Sequence, residues 1–196
     1  MKVVFIRHAR TQGNLEKRYI GRTNEPLCGD GVKQAGALFE SGNLPRPDTL
    51  IVSPYLRCVQ TAEILYPDPG LTYEIYDDLR ECDFGIFEGK THFELVRNNE
   101  YTAWLSTNCL RDIPGGESVT EFKRRCRSAF IEAVRNKPDD ATVVFIIHGG
   151  CIMAILEHFS RPRKEFQDYY VNNCEEVVRS AARSQNGDIF LDEISH

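Results

Sequence analysis

The sequence predicts a layered α/β domain, and three observations lead there. Short apolar runs that read as buried strands alternate with stretches that read as helices. The runs at 2–6, 48–52 and 142–147 are rich in apolar residues and stop abruptly, as strands covered on both faces do. Near the C-terminal end, Asn186-Gly187 lies between two plausible strands, a hairpin signal that adds antiparallel pairing at one edge of the sheet. A chain of 196 residues suits one domain carrying a small cap.

Taken in order, residues 2–6 are the first strand. Residues 7–30 are rich in polar, Gly and Pro positions and read as a long loop with some helix. Residues 31–41 are helix-like, with Val32, Ala35, Leu38 and Phe39 on one face. The Pro-containing connection 43–47 leads to a second strand at 48–52. Ser53-Pro54 then has the form of a helix start, with Ser as N-cap and Pro at the first helical position. That helix runs to about Leu65, is stopped by the Pro- and Gly-containing segment 66–70, and is followed by a strand at 71–76.

Residues 78–117 are less regular. Gly-containing stretches around Gly85 and Gly89 and at Gly115-Gly116 bracket short helices near 93–96 and 101–105, which suggests a cap inserted in the main domain. Ser118-Val119-Thr120-Glu121 has the spacing of a capping box and opens a long helix to about Asn136. The strand 142–147 ends in His148-Gly149-Gly150, and a helix continues to about Phe159.

Composition narrows the function. With 41% hydrophobic and 27% charged residues the chain can build a core. The net charge of -5 gives no general electrostatic reason to bind nucleic acid, so any bound anion needs locally concentrated positive charge. No apolar run approaches the roughly 20 residues of a membrane span, and none forms a signal-peptide core, so a cytoplasmic protein with no membrane partner is expected. The seven cysteines are odd in number and include no C-x-x-C pair, which argues against a disulfide framework or zinc ribbon. The C-x5-R loop of cysteine phosphatases and the G-x-x-x-x-G-K-[ST] loop of nucleotide binders are both missing.

The strand ends carry the chemistry. The first strand ends in Arg7-His8, the second in Ser53-Pro54 with Arg57 shortly after, and the fourth in His148. Ligands of open α/β sheets bind beyond the carboxyl ends of the strands, so parallel strands would bring two Arg and two His to one edge. Guanidinium offers bidentate donation to phosphate oxygens, helix starts at Ser53 and Gly149 would add N–H groups, and neutral imidazole is a nucleophile that needs no separate base. Any one of these residues alone reads as structural; their joint placement points to a phosphoryl site.

These residues also resemble a known family. Arg7-His8-Ala9-Arg10-Thr11-Gln12-Gly13-Asn14 is similar to the R-H-G-x-T-x-x-N signature of the histidine phosphatase superfamily, in the branch that includes cofactor-dependent phosphoglycerate mutases. Ser53 to Arg57 resembles its S-P-x-x-R element, and Leu79-Arg80-Glu81 with Gly85 and Glu88-Gly89 its L-R-E…G…E-G segment. Pro114 to Ser118 and His148 to Gly150 match the remaining two motifs. The resemblance implies a three-layer α/β/α fold with a mostly parallel sheet. It implies His8 as the nucleophile that forms a phosphohistidine, with Arg7, Arg57 and His148 holding phosphoryl oxygens. Asn14 and the turn at Ile20-Gly21 would complete the pocket, beside Gly149. Glu81 would protonate the leaving oxygen and then deprotonate water, unless it serves as a salt-bridge partner of a neighbouring Arg. No metal and no other cofactor is implied. Ala9 stands where the family has Gly, a substitution that bears on pocket shape.

Arg18 to Leu27 is similar to the R-Y-x-G-x-x-D-x-P-L pattern of α-ribazole phosphatases, with Asn24 in place of Asp. The chain is shorter than typical mutases, which favours a small phosphate ester as substrate and water as acceptor; a mutase and a non-catalytic phosphate binder are the alternatives. Phe84, Phe87, Phe93, Tyr101 and Trp104 either line a specificity pocket or pack the cap. Cys58, Cys82 and Cys151 adjoin proposed site residues and read as buried small side chains or as redox-sensitive thiols.

Overall fold

The chain order in the computed structural model, which describes residues 1–194, is β1 (Lys2–Arg7), α1 (Gln12–Leu15), α2 (Gly29–Glu40), β2 (Thr49–Val52), α3 (Leu56–Leu65), β3 (Tyr73–Ile75), α4 (His92–Leu95), α5 (Asn99–Ser106), α6 (Val119–Arg135), β4 (Thr142–Ile147), α7 (Gly149–Phe159), β5 (Ser160–Arg161), β6 (Glu176–Arg183) and β7 (Ile189–Glu193). The strands form one sheet in the order β3-β2-β4-β1-β6-β7-β5. β3, β2, β4 and β1 are parallel, whereas β6 and β7 add the antiparallel edge that Asn186-Gly187 predicts. Register then decides where the chemistry falls. Arg7 pairs with Ile147 and Val52 with Ile146, so His8, Ser53 and His148 leave the sheet side by side.

Side chains alternate across β1 with the strand period of two. Val3 and Phe5 join the core beneath α6 and α7, and Val4 and Ile6 the core beneath α2 and α3. The result is the expected three-layer arrangement. Phe5, Phe130, Phe145 and Phe159 form an aromatic knot on the first face, with ring centroids 4.9–5.9 Å apart. Residues of the 78–117 stretch gather around a smaller cluster of Phe87, Leu95, Tyr101, Trp104 and Ile113, joined by Tyr19 from the loop after α1. No helix among the described residues is long and apolar enough to cross a membrane.

Several local expectations are corrected. Gly31, Ala35 and Leu38 form the inward stripe of α2, while Val32 and Phe39 are 49% and 45% exposed. Gly31 lies directly against the Arg10 carbonyl, and this close approach rotates Val32 and Phe39 outward. Ser53-Pro54 does not start a helix. α3 begins at Leu56, whose N–H donates to Asn24 Oδ1 at 2.7 Å, and the Ser53 hydroxyl turns inward instead. Ser118 is the N-cap of α6 without a side-chain bond, because the Val119 N–H donates to Asp112 and Glu121 pairs with Arg124. β3 is shorter than 71–76, and no sequence signal announces the two-residue β5.

Truncating the aromatic knot should be costly where truncating α2's outer face is not. Phe130→Ala is expected to destabilise by about 3–5 kcal/mol, and Phe39→Ala by less than about 0.5 kcal/mol. Urea denaturation of both variants, read by far-UV dichroism, checks the contrast.

Candidate active site

A cavity of about 580 Å³ opens where the parallel strands end, lined by Arg7, His8, Asn14, Ile20, Arg57, Glu81 and Gly149 among others. His8 follows β1 and is 4% exposed. Its Nδ1 lies 2.7 Å from the carbonyl oxygen of Ala9. A carbonyl only accepts, so Nδ1 carries the proton and Nε2 keeps its lone pair. Burial, then the charges of Arg57 and Arg7, hold the His8 pKa well below the ordinary imidazole value. The ring is therefore neutral at pH 7. Ala9 is fully buried and its N–H donates to Thr61 Oγ1 at 3.0 Å, so its methyl group packs into the α2–α3 core.

Arg57, in the first turn of α3, is fully buried and forms no ion pair among the described residues. Its Nη1 donates to the Thr23 carbonyl at 2.6 Å, its Nη2 to the Gly21 carbonyl at 2.9 Å, and its Nε to His148 Nδ1 at 3.3 Å. Of five guanidinium N–H groups, two stay free for a ligand. Arg7 donates from Nη1 to the Val171 carbonyl at 2.7 Å, while its buried Nε has no partner among the described residues. The Arg7 guanidinium rests against Gly149 at the N-terminal end of α7, where even a Cβ would lie at ordinary contact distance, 3.4 Å.

His148 is fully buried, with its ring centroid 5.2 Å from that of His8. Its Nδ1 accepts from Arg57, so the neutral ring carries its proton on Nε2, which donates to Ser53 Oγ at 2.8 Å. Both nitrogens are thus engaged by protein, and His148 does not line the cavity. Burial, then Arg57, His8 and Arg7, holds its pKa well below the ordinary value.

Gly21 also stays outside the cavity lining. Its N–H donates to Glu88 at 2.9 Å and its carbonyl accepts from Arg57. It is packed so closely on the Cys82 carbonyl that a Cβ would come within 1.8 Å. Its task is to support Arg57. The Ser53 helix start likewise supplies no N–H groups to the site, since α3 begins later.

Glu81 sits in an irregular stretch. Its carboxylate accepts from the Cys82 N–H at 2.9 Å and from the Gly150 N–H of α7 at 3.1 Å. It forms no salt bridge among the described residues; Arg125 reaches only its backbone carbonyl. Asn14 Oδ1 accepts from the Thr11 N–H and from Asn173 Nδ2, which leaves the amide Nδ2 as the free donor.

Sequence reasoning missed Asn173, whose Nδ2 also donates to the His8 carbonyl at 2.9 Å, because no motif surrounds it. It read Ser53 as a helix cap although the Ser-Pro signature was in view. Of the cap aromatics, Phe84 and Trp104 line the cavity, Phe87 and Tyr101 pack the cluster, and Phe93 is 84% exposed. Burial pushes the Cys58 thiol up to about 12 and raises Cys82 and Cys151 as well, which favours the reading of inert buried thiols. Among the described residues no cluster of three or more His, Cys, Asp or Glu is placed to share a metal ion.

Parallel strands that deliver an unprotonated imidazole nitrogen and two guanidiniums to one edge define an α/β protein of phosphoryl chemistry. The chain belongs to the histidine phosphatase superfamily, branch 1, whose family model matches residues 3–186. Members are phosphatases or mutases, so this is an enzyme of one of those kinds. A relative from Enterobacter sp. (strain 638), "Probable phosphoglycerate mutase GpmB", is 30% identical over 163 residues, covering 80% of this chain and 74% of the relative. The alpha-ribazole phosphatase from Shigella flexneri superposes with a TM-score of 0.78 at 22% identity, covering 100% of this chain and 96% of that one. A mycobacterial glucosyl-3-phosphoglycerate phosphatase in complex with VO3 superposes with a TM-score of 0.77 at 25% identity, covering 98% and 97%.

The two buried imidazoles make stability pH-dependent. Their folded pKa values lie below the unfolded value of about 6.5, so the unfolded chain binds more protons as pH falls past that point. The stability they contribute is fully present above about pH 6.5 and is lost toward their depressed folded values, at up to about 1.4 kcal/mol per pH unit for each ring. Urea midpoints between pH 8 and 5 should decline below about 6.5, and less steeply in His8→Asn than in wild type.

Proposed function

We propose that the protein is a phosphatase that hydrolyses a small phosphate monoester through a phosphohistidine on His8. The observation that carries this is the bond from His8 Nδ1–H to the Ala9 carbonyl, which fixes Nε2 as the unprotonated atom. In the first step the free N–H groups of Arg57 and Arg7 hold the equatorial oxygens of the phosphoryl group. Nε2 attacks phosphorus, the N–P bond forms as the ester P–O bond breaks, and the protonated Glu81 carboxyl gives its proton to the leaving oxygen. In the second step water attacks phosphorus and yields a proton to the Glu81 carboxylate, and the N–P bond breaks to release phosphate. The guanidiniums supply the positive charge, and the scheme uses no metal.

Water as acceptor is favoured by the cavity, whose volume of about 580 Å³ far exceeds a phosphoryl group and leaves room for solvent beside a small leaving group. The mutase named in the sequence relative supports the second reading, transfer to another hydroxyl after priming by a bisphosphate. Tyr19, Phe84, Trp104 and Ile113 give the far wall an apolar, aromatic character, so a leaving group with an aromatic or apolar part fits best. α-Ribazole phosphate is the first such ester to try. The free state of all seven cysteines suits a cytoplasmic setting.

Turnover of 4-nitrophenyl phosphate without added metal, in wild type and His8→Ala, tests the proposal. Wild type should release phosphate and pass through an acid-labile, base-stable phosphoprotein, and His8→Ala should lose activity by roughly 10³-fold or more. An inert wild type that gains activity on bisphosphate priming would replace the phosphatase reading by the mutase one.

A further inference from the structure

We propose that Arg125 is a positioning residue for Glu81 that sets the proton donor against the leaving oxygen; this rests on the acid role given to Glu81 above. Arg125 lies on α6 and outside the cavity lining, and its side chain is 14% exposed. Every N–H of its guanidinium is committed. Nε and Nη2 form a fork on the Glu117 carboxylate at 2.6 and 2.8 Å. Nη1 donates to the carbonyls of Asp78 and Arg80 at 2.7 and 2.6 Å, and Nη2 also donates to the Glu81 carbonyl at 3.1 Å.

The clamp acts where the chain has no other means of holding its shape. Residues 81–84 belong to no helix or strand. The Glu81 carboxylate is held by two backbone N–H groups, one of them its own neighbour's, and among the described residues by no side chain. Its location is therefore set by the backbone path through 78–82, and Arg125 gathers three carbonyls of that path onto one cation. Glu117 fixes the guanidinium plane and neutralises its charge, so the clamp adds order without adding net charge near the acid. Phe122, one turn earlier on α6, stacks beneath Arg125 at 5.0 Å and itself lines the cavity.

A displaced acid fails selectively. An ester with a poor leaving group needs its oxygen protonated as the P–O bond breaks, whereas 4-nitrophenolate departs without a proton. The values of kcat/KM for 4-nitrophenyl phosphate and an alkyl phosphate are compared in wild type, Glu81→Gln, Arg125→Gln, Arg125→Lys and Glu117→Gln. Glu81→Gln and Arg125→Gln should both lower the alkyl value roughly 10- to 100-fold more than the nitrophenyl value. Arg125→Lys should rescue little, because an ammonium cannot form the fork. If Arg125→Gln slows both substrates by one factor while Glu81→Gln is selective, the clamp is only structural and the proposal falls alone. If Glu81→Gln is not selective, the acid role falls and takes the proposal with it. Should Arg125→Gln fail to fold, Glu117→Gln decides, since it keeps the guanidinium and should show a smaller split of the same sign; an equal effect on both substrates overturns the clamp.

Discussion

The Arg57 guanidinium is buried at the carboxyl edge of a parallel sheet and has no carboxylate paired with it among the described residues. An uncompensated buried cation is costly, by several kcal/mol after relaxation. Here it is tolerated because two carbonyls and an imidazole nitrogen solvate it from behind, and the remaining N–H groups face a cavity. On the proposed reaction, a dianionic phosphoryl group would supply the missing countercharge. The same cation helps to hold both neighbouring imidazoles neutral, so binding and nucleophile share one electrostatic cause.

Much of the surrounding sequence exists to make those carbonyls available. The Gly21 and Thr23 carbonyls can point at Arg57 only if the turn between them is folded from outside. Glu88 does this by accepting from the N–H groups of both residues and from the Thr23 hydroxyl. Arg18 ties the preceding loop to the Gly89 carbonyl, and Asn24 caps α3, the helix that carries Arg57. The pattern running from Arg18 to Leu27 is thus architecture for the cation. Asn24, where that pattern has Asp, keeps the capping oxygen, since its Oδ1 accepts the Leu56 N–H. Tyr19, Phe84 and Trp104, by contrast, line the cavity itself.

This division explains what could be read in the sequence. Strand positions, the terminal hairpin and the convergence of Arg7, His8, Arg57 and His148 were visible because apolar period and strand ends leave local marks. Gly21 and Ser53 were assigned the wrong tasks because their partners, Glu88 and His148, are distant in sequence. Gly21 looked like a phosphate turn, yet close backbone packing requires the glycine. Asn173 and Arg125 carried no mark at all. A single polar residue on a loop, or a single Arg on an exposed-looking helix, becomes meaningful only when the fold shows which carbonyls it collects.

The environment of His8 also bears on which acceptor takes the phosphoryl group. An imidazole whose pKa is held down by burial and by two cations is a weaker nucleophile than a free one, but it is never lost to protonation at neutral pH. In a phosphorylated ring positive charge would develop on the imidazole, and among the described residues the hydrogen-bond partner of Nδ1–H is the Ala9 carbonyl. Arg57 and Arg7 oppose that charge. On the proposed route this charge balance would make the ring a good leaving group. A mutase must keep its phosphoenzyme intact while it waits for a second hydroxyl, whereas a phosphatase gains from a labile one. With a cavity large enough to admit water, that charge balance is the physical ground on which the proposed hydrolysis rests.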